Sequence, residues 1–413
     1  MMTLDYWEGR LTAIPSTIEC PEMCLIGGHN SGPPVFTGSG RIDITSSTDI
    51  DFTMYATATD NSDAVRCLVR ARENPYEVFE QFVLEATDYR GTKWNCGWTQ
   101  PEIKGLPNVG WPLTGHISSM VTLAKGSWVS DQSSIELVFQ PKFWLPMDTK
   151  MMTVTSIDGK EIERKIRPGQ QCIQIFDTEL KCFYPPYSES VWLTANTSEK
   201  FQHPYAENWA SEPFRILLGQ LAYPRLVARN FGDGTAYVWL RPSYKHFSNS
   251  GFVSILDRDS SKAHREFWKL YASLLTLIAG NKDEKGHPNF EHHPITRFYE
   301  EIIQATQGSR WVLFMTLSSA AEGIVRLLNP PRKKVDIEYY MKSLVEQKVL
   351  VDENLCSWQK IRNAVMHGQL VLPWCAEEED QRLQHLIDLV HRLTHELIRQ
   401  KVSDEAVAAY ETG

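Results

Sequence analysis

No apolar run in this sequence approaches the ~20 residues that a helix needs to cross a bilayer, so no membrane span is expected. The opening, MMTLDYWEGRLTAI, lacks the basic start and long apolar stretch of a secretory signal, and a cytoplasmic protein is expected. In such a compartment the glycosylation-like triplet Asn196-Thr197-Ser198 carries no meaning. Cysteine is sparse: of the eight, only Cys20 and Cys24 stand close together, as C-x3-C, and no second pair lies at zinc-finger spacing. Reduced, partly buried thiols are the expectation there, with no metal and no cofactor. Basic charge is short as well. A net charge of −9 argues against a protein that coats nucleic acid non-specifically, but it leaves room for an enzyme with a small phosphate site. The glycine-rich GGHNSGPPVFTGSG lacks the G-K-[S/T] ending of a phosphate loop, so turns are expected in it. There is no nucleophile elbow and no H-E-x-x-H.

What is present is ordinary globular composition, 42% hydrophobic and 23% charged, over 413 residues, enough for two or three domains. Thirteen tryptophans are expected to fill cores. The period of the apolar residues changes along the chain. Up to about Leu240 it is two: Ile50, Phe52, Met54, Ala56 and Ala58 alternate with polar residues, as do Phe82, Leu84, Ala86 and Ile135, Leu137, Phe139. Residues 1–243 therefore read as β-rich, as a sandwich or two associated β-units, and residues 244–255 as a polar, turn-rich linker. Beyond it the period is helical: Phe267, Leu270, Tyr271, Leu274, Leu275 and Ile278 follow i, i+3, i+4, i+7. Further helices are expected over RWVLFMTLSSAAEGIVRLL, VDIEYYMKSLVEQKVL, the segment around Arg362, and the leucine stripe from Leu383 to Leu397. Five helices with short connections make a bundle over 256–413, and the whole chain an α+β multidomain protein.

Several polar groups in the bundle have structural readings. His391 and His395 stand i, i+4, a spacing that can hold a metal, yet both fall nearly opposite the leucine face, where a solvated surface is expected. His292 and His293 sit at a helix start, as capping or surface groups. Glu377, Glu378, Glu379 and Asp380 suit the first turn of the last helix through its macrodipole. Arg332, Lys333 and Lys334 follow a double proline in a loop, as solvated charge or as a hold on a phosphate backbone.

The stretch RNAVMHG, residues 362 to 368, is different. Trp358, Ile361, Val365 and Gln369 form one stripe with Arg362 on its flank, and Asn363 and His367 project together on another face. Arg362 and His367 stand about 140° apart around the helix and about 7.5 Å along it. One helix cannot close both around one phosphate, but two copies facing each other across a two-fold axis can. The chemistry suits RNA cleavage: histidine moves a proton near neutral pH, arginine offers parallel donors to phosphate oxygens, and asparagine orients the imidazole or bonds the phosphate.

R-N-x-x-x-H late in an all-helical domain resembles the signature of the HEPN superfamily of ribonucleases, R-x(4–6)-H with a polar residue after the arginine; Arg362, Asn363 and His367 match it residue for residue. The resemblance covers roughly residues 256 to 410 and implies a metal-independent, dimeric endoribonuclease that leaves a 2′,3′-cyclic phosphate and a 5′-hydroxyl. By the same resemblance Glu322 corresponds to an acidic residue near the site. A β-rich half ahead of such a domain is similar to the ApeA family of anti-phage abortive-infection proteins, with FEQFVLEATDYRGTKWNCGW and FRILLGQLAYPRLVARNFGDGTAYVWL as the stretches that carry the likeness. It implies an RNA substrate, transfer or messenger, a β half that senses a phage-derived trigger, and a homodimer or higher homo-oligomer away from membranes. One departure stands out: from residue 255 onward 20 Lys+Arg face 23 Asp+Glu, so RNA affinity needs local clustering at Arg362, at Arg332–Lys334 or in the β half. The rival expectation is a non-catalytic HEPN-like module for dimerisation or nucleotide binding beside a ligand-sensing β domain.

Overall fold

In the computed structural model the described residues are 2–27, 32–105, 110–147, 149–155, 161–175, 178–185, 188–196, 206–244, 253–256, 263–280, 293–329, 336–366 and 374–402. The chain forms two compact units. One comprises Met1–Gln171, Leu180–Ser198 and Tyr223–Lys245; the other comprises Cys172–Glu179, Glu199–Ala222 and His246–Gly413. The architecture is α+β: a large antiparallel sheet in the N-terminal half, then helices.

The strands of the N-terminal half are β1 (Ser16–Gly27), β2 (Phe36–Ile44), β3 (Ile50–Ala58), β4 (Phe82–Thr87), β5 (Lys93–Thr99), β6 (Glu102–Ile103), β7 (Trp111–His116), β8 (Met120–Lys125) and β9 (Ser133–Phe139). There follow β10 (Thr149–Thr155) and β11 (Glu161–Pro168), a separate hairpin, then β12 (Gln170–Ile175), β13 (Thr178–Phe183), β14 (Val191–Asn196), β15 (Leu226–Phe231) and β16 (Thr235–Leu240). Hydrogen bonding runs unbroken through β14-β9-β15-β16-β8-β5-β4-β1-β2-β3-β7-β6. Two runs of strands, β6-β7-β3-β2-β1-β4-β5 and β8-β16-β15-β9-β14, join at a single pair, Asn95 with Val121.

The two-residue alternation holds in β3 but not in β9, where every residue from Ser134 to Phe139 is buried. Ile50, Phe52, Met54 and Ala56 of β3 are buried while Tyr55 between them is exposed. The glycine-rich stretch departs from its reading as turns, because Phe36 to Gly40 lies inside β2. A Cβ on Gly38 would stand 2.1 Å from the Tyr55 carbonyl oxygen, and one on Gly40 2.0 Å from that of Thr53, so these glycines let β3 approach closely. The Gly232-Asp233-Gly234 turn is present, with φ of +78° at both glycines.

Two helices of the β-rich half escaped the periodic reading, α1 (Thr3–Leu11) and α2 (Asn61–Glu73). Leu4, Trp7 and Leu11 of α1 are buried in the core. Its N-terminus is held by Glu136 of β9, whose carboxylate accepts from the Thr3 and Leu4 amides at 2.9 and 2.8 Å and from Asn230 Nδ2 at 2.9 Å.

The second unit holds α3 (Ala206–Leu218), α4 (Ala263–Ala279), α5 (Pro294–Ala305), α6 (Arg310–Leu328), α7 (Ile337–Glu346), α8 (Asp352–Met366) and α9 (Ala376–Lys401). Five of them fall where the apolar period placed them; α5 starts at the helix start read at His292 and His293, and α3 is an addition. The expected linker differs in part: residues 245–252 lie outside the described residues, while Val253, Ser254 and Ile255 are buried. Ser254 Oγ donates to the Leu217 carbonyl at 2.6 Å. By length and composition α6 could cross a membrane, contrary to the reading that no apolar run approaches that length, but Leu313, Phe314, Leu317, Ala321, Ile324 and Val325 are buried and it is packed with α5, α8 and α9. A Cβ on Gly323 of α6 would meet the Phe298 ring of α5 at 2.3 Å, so this glycine sets how closely the two helices approach.

Candidate functional site

Helix α8 carries the arginine of the motif on a well-anchored frame. Trp358 and Ile361 are buried, as the stripe predicts. At its first turn the helix is tied to α9: Asn354 Nδ2 donates to the His385 carbonyl at 2.8 Å and to Asp388 Oδ2 at 3.1 Å, and Ser357 Oγ lies 3.0 Å from His385 Nδ1. Asn354 is wholly buried and its Oδ1 also accepts from the Val351 amide at 3.1 Å, so its amide is satisfied on both ends.

Arg362 leaves this frame on the flank of the buried stripe. Its side chain is 43% exposed, and Nε lies 3.2 Å from Oε1 of Glu322 on α6, itself 24% exposed. Its guanidinium carbon stands 5.3 Å from the centre of the Trp358 ring, one turn earlier on the same helix. Two of the four named residues, Arg362 and Glu322, are thus brought together, and the i, i+4 spacing of Trp358 and Arg362 is the sequence signal for the ring contact. Asn363 is exposed on the neighbouring face. His367 and the loop residues Arg332, Lys333 and Lys334 lie outside the described residues.

The structural readings of the other polar groups divide. His293 caps α5, its Nδ1 accepting from the Ile295 amide at 3.3 Å, and burial holds its pKa down to about 4. Glu377, Glu378 and Glu379 occupy the first turn of α9, and Arg310 pairs with Glu379 at 3.3 Å and Asp380 at 2.9 Å. His395 is exposed, but His391 corrects the solvated-face reading. It is half-buried, donates from Nε2 to the Val253 carbonyl at 3.1 Å, and stacks parallel to the Tyr299 ring at 6.4 Å. The helical wheel missed this because Val253 comes from outside the helices. Burial lowers the pKa of His391 to about 4. Cys20 is buried and Cys24 half-buried in β1, and burial raises both thiol pKa values. Among the described residues no three His, Cys, Asp or Glu side chains converge as a metal site requires.

No protein-family model, curated protein or solved structure matches this chain.

Proposed function

We propose that the chain is a metal-independent endoribonuclease of HEPN type, acting in the cytoplasm in bacterial anti-phage defence. Arg362 holds the scissile phosphate, His367 moves the proton of the ribose 2′-hydroxyl or of the leaving oxygen, and Asn363 steadies the imidazole or the phosphate. In-line attack by the 2′-hydroxyl leaves a 2′,3′-cyclic phosphate and a 5′-hydroxyl. The observation that carries the reading is the setting of Arg362: a guanidinium on a buried, anchored helix face, half-exposed, oriented by Glu322 and Trp358, with Asn363 and His367 following in the motif order. Glu322 is then a positioning residue. The site is composite, with Arg362 of one copy beside His367 of another, so the active form is a homodimer. The β-rich unit senses the trigger, and Arg332, Lys333 and Lys334 track the RNA backbone.

The test is cleavage of RNA in EDTA beside an identical strand with a 2′-deoxy sugar at the cut position. Cleavage of the ribose strand alone supports the reading; equal cleavage of both, or activity only with added magnesium, removes it. Mixing His367→Ala with Arg362→Ala chains tests the composite site, because each mixed dimer keeps one site with both Arg362 and His367 while neither parent keeps any. A second reading, a non-catalytic dimerisation or nucleotide-binding module, is favoured by the fact that Arg362 already has a carboxylate partner. Absence of cleavage by the pure, folded wild-type chain selects it.

A further inference from the structure

Arg225 immediately precedes β15 in the β-rich unit and is wholly buried. Its backbone is engaged on both sides. The amide donates to the Val138 carbonyl of β9 at 2.8 Å, and the carbonyl accepts from the Arg241 amide, just past β16, at 2.8 Å. The residue is thereby pinned between two neighbouring strands. One step of register beyond Leu226 sets it beside Phe139 on one side and Arg241 on the other. Phe139 is buried, as are Val191 opposite it on β14 and Val227 two residues further along β15. The neighbours that register supplies are therefore apolar, except for Arg241, a second and half-buried cation.

A guanidinium carries five N–H donors and holds its charge at neutral pH. Yet Nε, Nη1 and Nη2 of Arg225 all lack an acceptor in the protein. The other arginines buried among the described residues are met. Arg215 donates to Glu300 at 2.8 Å and to Ser211 at 3.2 Å, Arg382 donates to Glu378, and the Arg229 guanidinium lies over the Trp239 ring at 4.7 Å. Burial alone lowers the Arg225 pKa, to about 10, so the side chain stays charged at cellular pH. Burying an ion is costly unless it is both paired and hydrogen-bonded. Enclosed water satisfies N–H groups but supplies no counter-charge. Three nitrogens around one flat fork call for an acceptor with several oxygens, as in phosphate or sulfate, rather than the single atom of chloride. Because Arg225 has no exposed surface, the anion that meets it is small and enclosed with it.

We propose that Arg225 anchors an enclosed oxyanion site where β9, β15 and β16 meet, with inorganic phosphate or sulfate as its resident counter-ion. The proposal is independent of the nuclease reading, since its test reads anion content and stability and not cleavage. The full-length protein is purified in a chloride buffer free of both oxyanions and unfolded in guanidinium chloride, and the released anions are measured by ion chromatography. Stoichiometric release of an oxyanion is expected, and the ion that appears tells phosphate from sulfate. The protein is also refolded without either and melted after addition of millimolar phosphate, sulfate or chloride at matched ionic strength. An oxyanion that binds only the folded chain should raise the melting temperature by roughly 2–4 °C, and chloride should not. Arg225→Met removes the charge and keeps an unbranched side chain. It should release no oxyanion, melt without response to one, and in the oxyanion-free buffer melt at or above the wild type, because a bare buried cation is gone. Should that chain fail to fold, Arg225→Lys keeps a charge without the planar fork, and its response should be smaller than that of the wild type. Equal melts of the wild type in all three salts with no oxyanion released, or an Arg225→Met or Arg225→Lys chain that responds as the wild type does, overturns the proposal.

Discussion

Nε of Arg362 on α8 lies 3.2 Å from Oε1 of Glu322 on α6, an ion pair between the two helices. Both side chains retain exposure, so the pair is a surface ion pair and its contribution to folding is small, ~0–1 kcal/mol. Its expected effect is on orientation, the carboxylate drawing the Nε side of a guanidinium that keeps its exposure.

On the proposed nuclease reading, Glu322→Ala should leave the melting temperature nearly unchanged while lowering RNA cleavage. A loss in kcat with little change in KM, partly restored by Glu322→Asp, is the signature of a positioning role. A parallel fall in thermal stability would make the pair structural instead.

Arg362→Lys keeps the charge but loses the planar fork and its fit over an aromatic ring. We expect it to be almost as inactive as Arg362→Ala, with both variants folded, since a change on a helix flank usually alters stability within ~0.5 kcal/mol. Trp358→Ala is the contrast. It empties a buried site beneath the arginine and should cost ~3–5 kcal/mol in a urea titration. Unfolding of Arg362→Ala under ordinary conditions would reverse this ordering.

The parts legible in the sequence are those governed by local periodicity. The α4, α6 and α9 stripes and the β3 alternation each arise from one element facing one core, so composition at fixed spacing reveals them. Arg362 and the acidic residue matched to it were legible as residues, but their pairing depends on how α6 and α8 pack, which no local pattern encodes. Helix α1 was hidden for a similar reason: nine residues give little more than two turns, and its N-terminal cap is not the preceding residue but Glu136, 133 positions from Thr3. The order of the strands was illegible because that between β8, β16, β15 and β9 is a long-range property. His391 failed through its partner Val253, which sits in a segment without period.

That distant cap gives a second structural prediction. Glu136 is buried with three donors on its carboxylate, the Thr3 and Leu4 amides and the Asn230 side-chain amide, and burial raises its pKa. Glu136→Ala leaves those donors unpaired, at ~1–3 kcal/mol for each buried group. The amides of Thr3 and Leu4 should then exchange with solvent far faster than in the wild-type chain. Unchanged protection would mean that α1 is held by Leu4, Trp7 and Leu11 alone.

Acid should weaken the helical unit by way of two histidines. His293 must stay neutral to accept from the Ile295 amide, and His391 is held neutral by its burial against Tyr299; each has a pKa lowered from 6.5 to about 4. Between those values the unfolded chain binds protons that the folded chain does not, so stability rises with pH there. It is fully present above about pH 6.5 and is lost as the pH falls toward about 4, at roughly 1.4 kcal/mol for each unit of separation where the ring is fully buried. His293→Asn retains an N-cap acceptor that does not titrate, and asparagine is among the best residues at that position. Paired with His391→Gln, which can still donate to the Val253 carbonyl, it should leave the melting temperature near neutral pH almost unaltered and flatten its fall on acidification. Thermal melts of both chains at about pH 7.5 and about pH 4.5 decide it. If the double variant loses as much stability as the wild type, the acid sensitivity resides in other groups, and the neutral cap at His293 is a detail without thermodynamic weight.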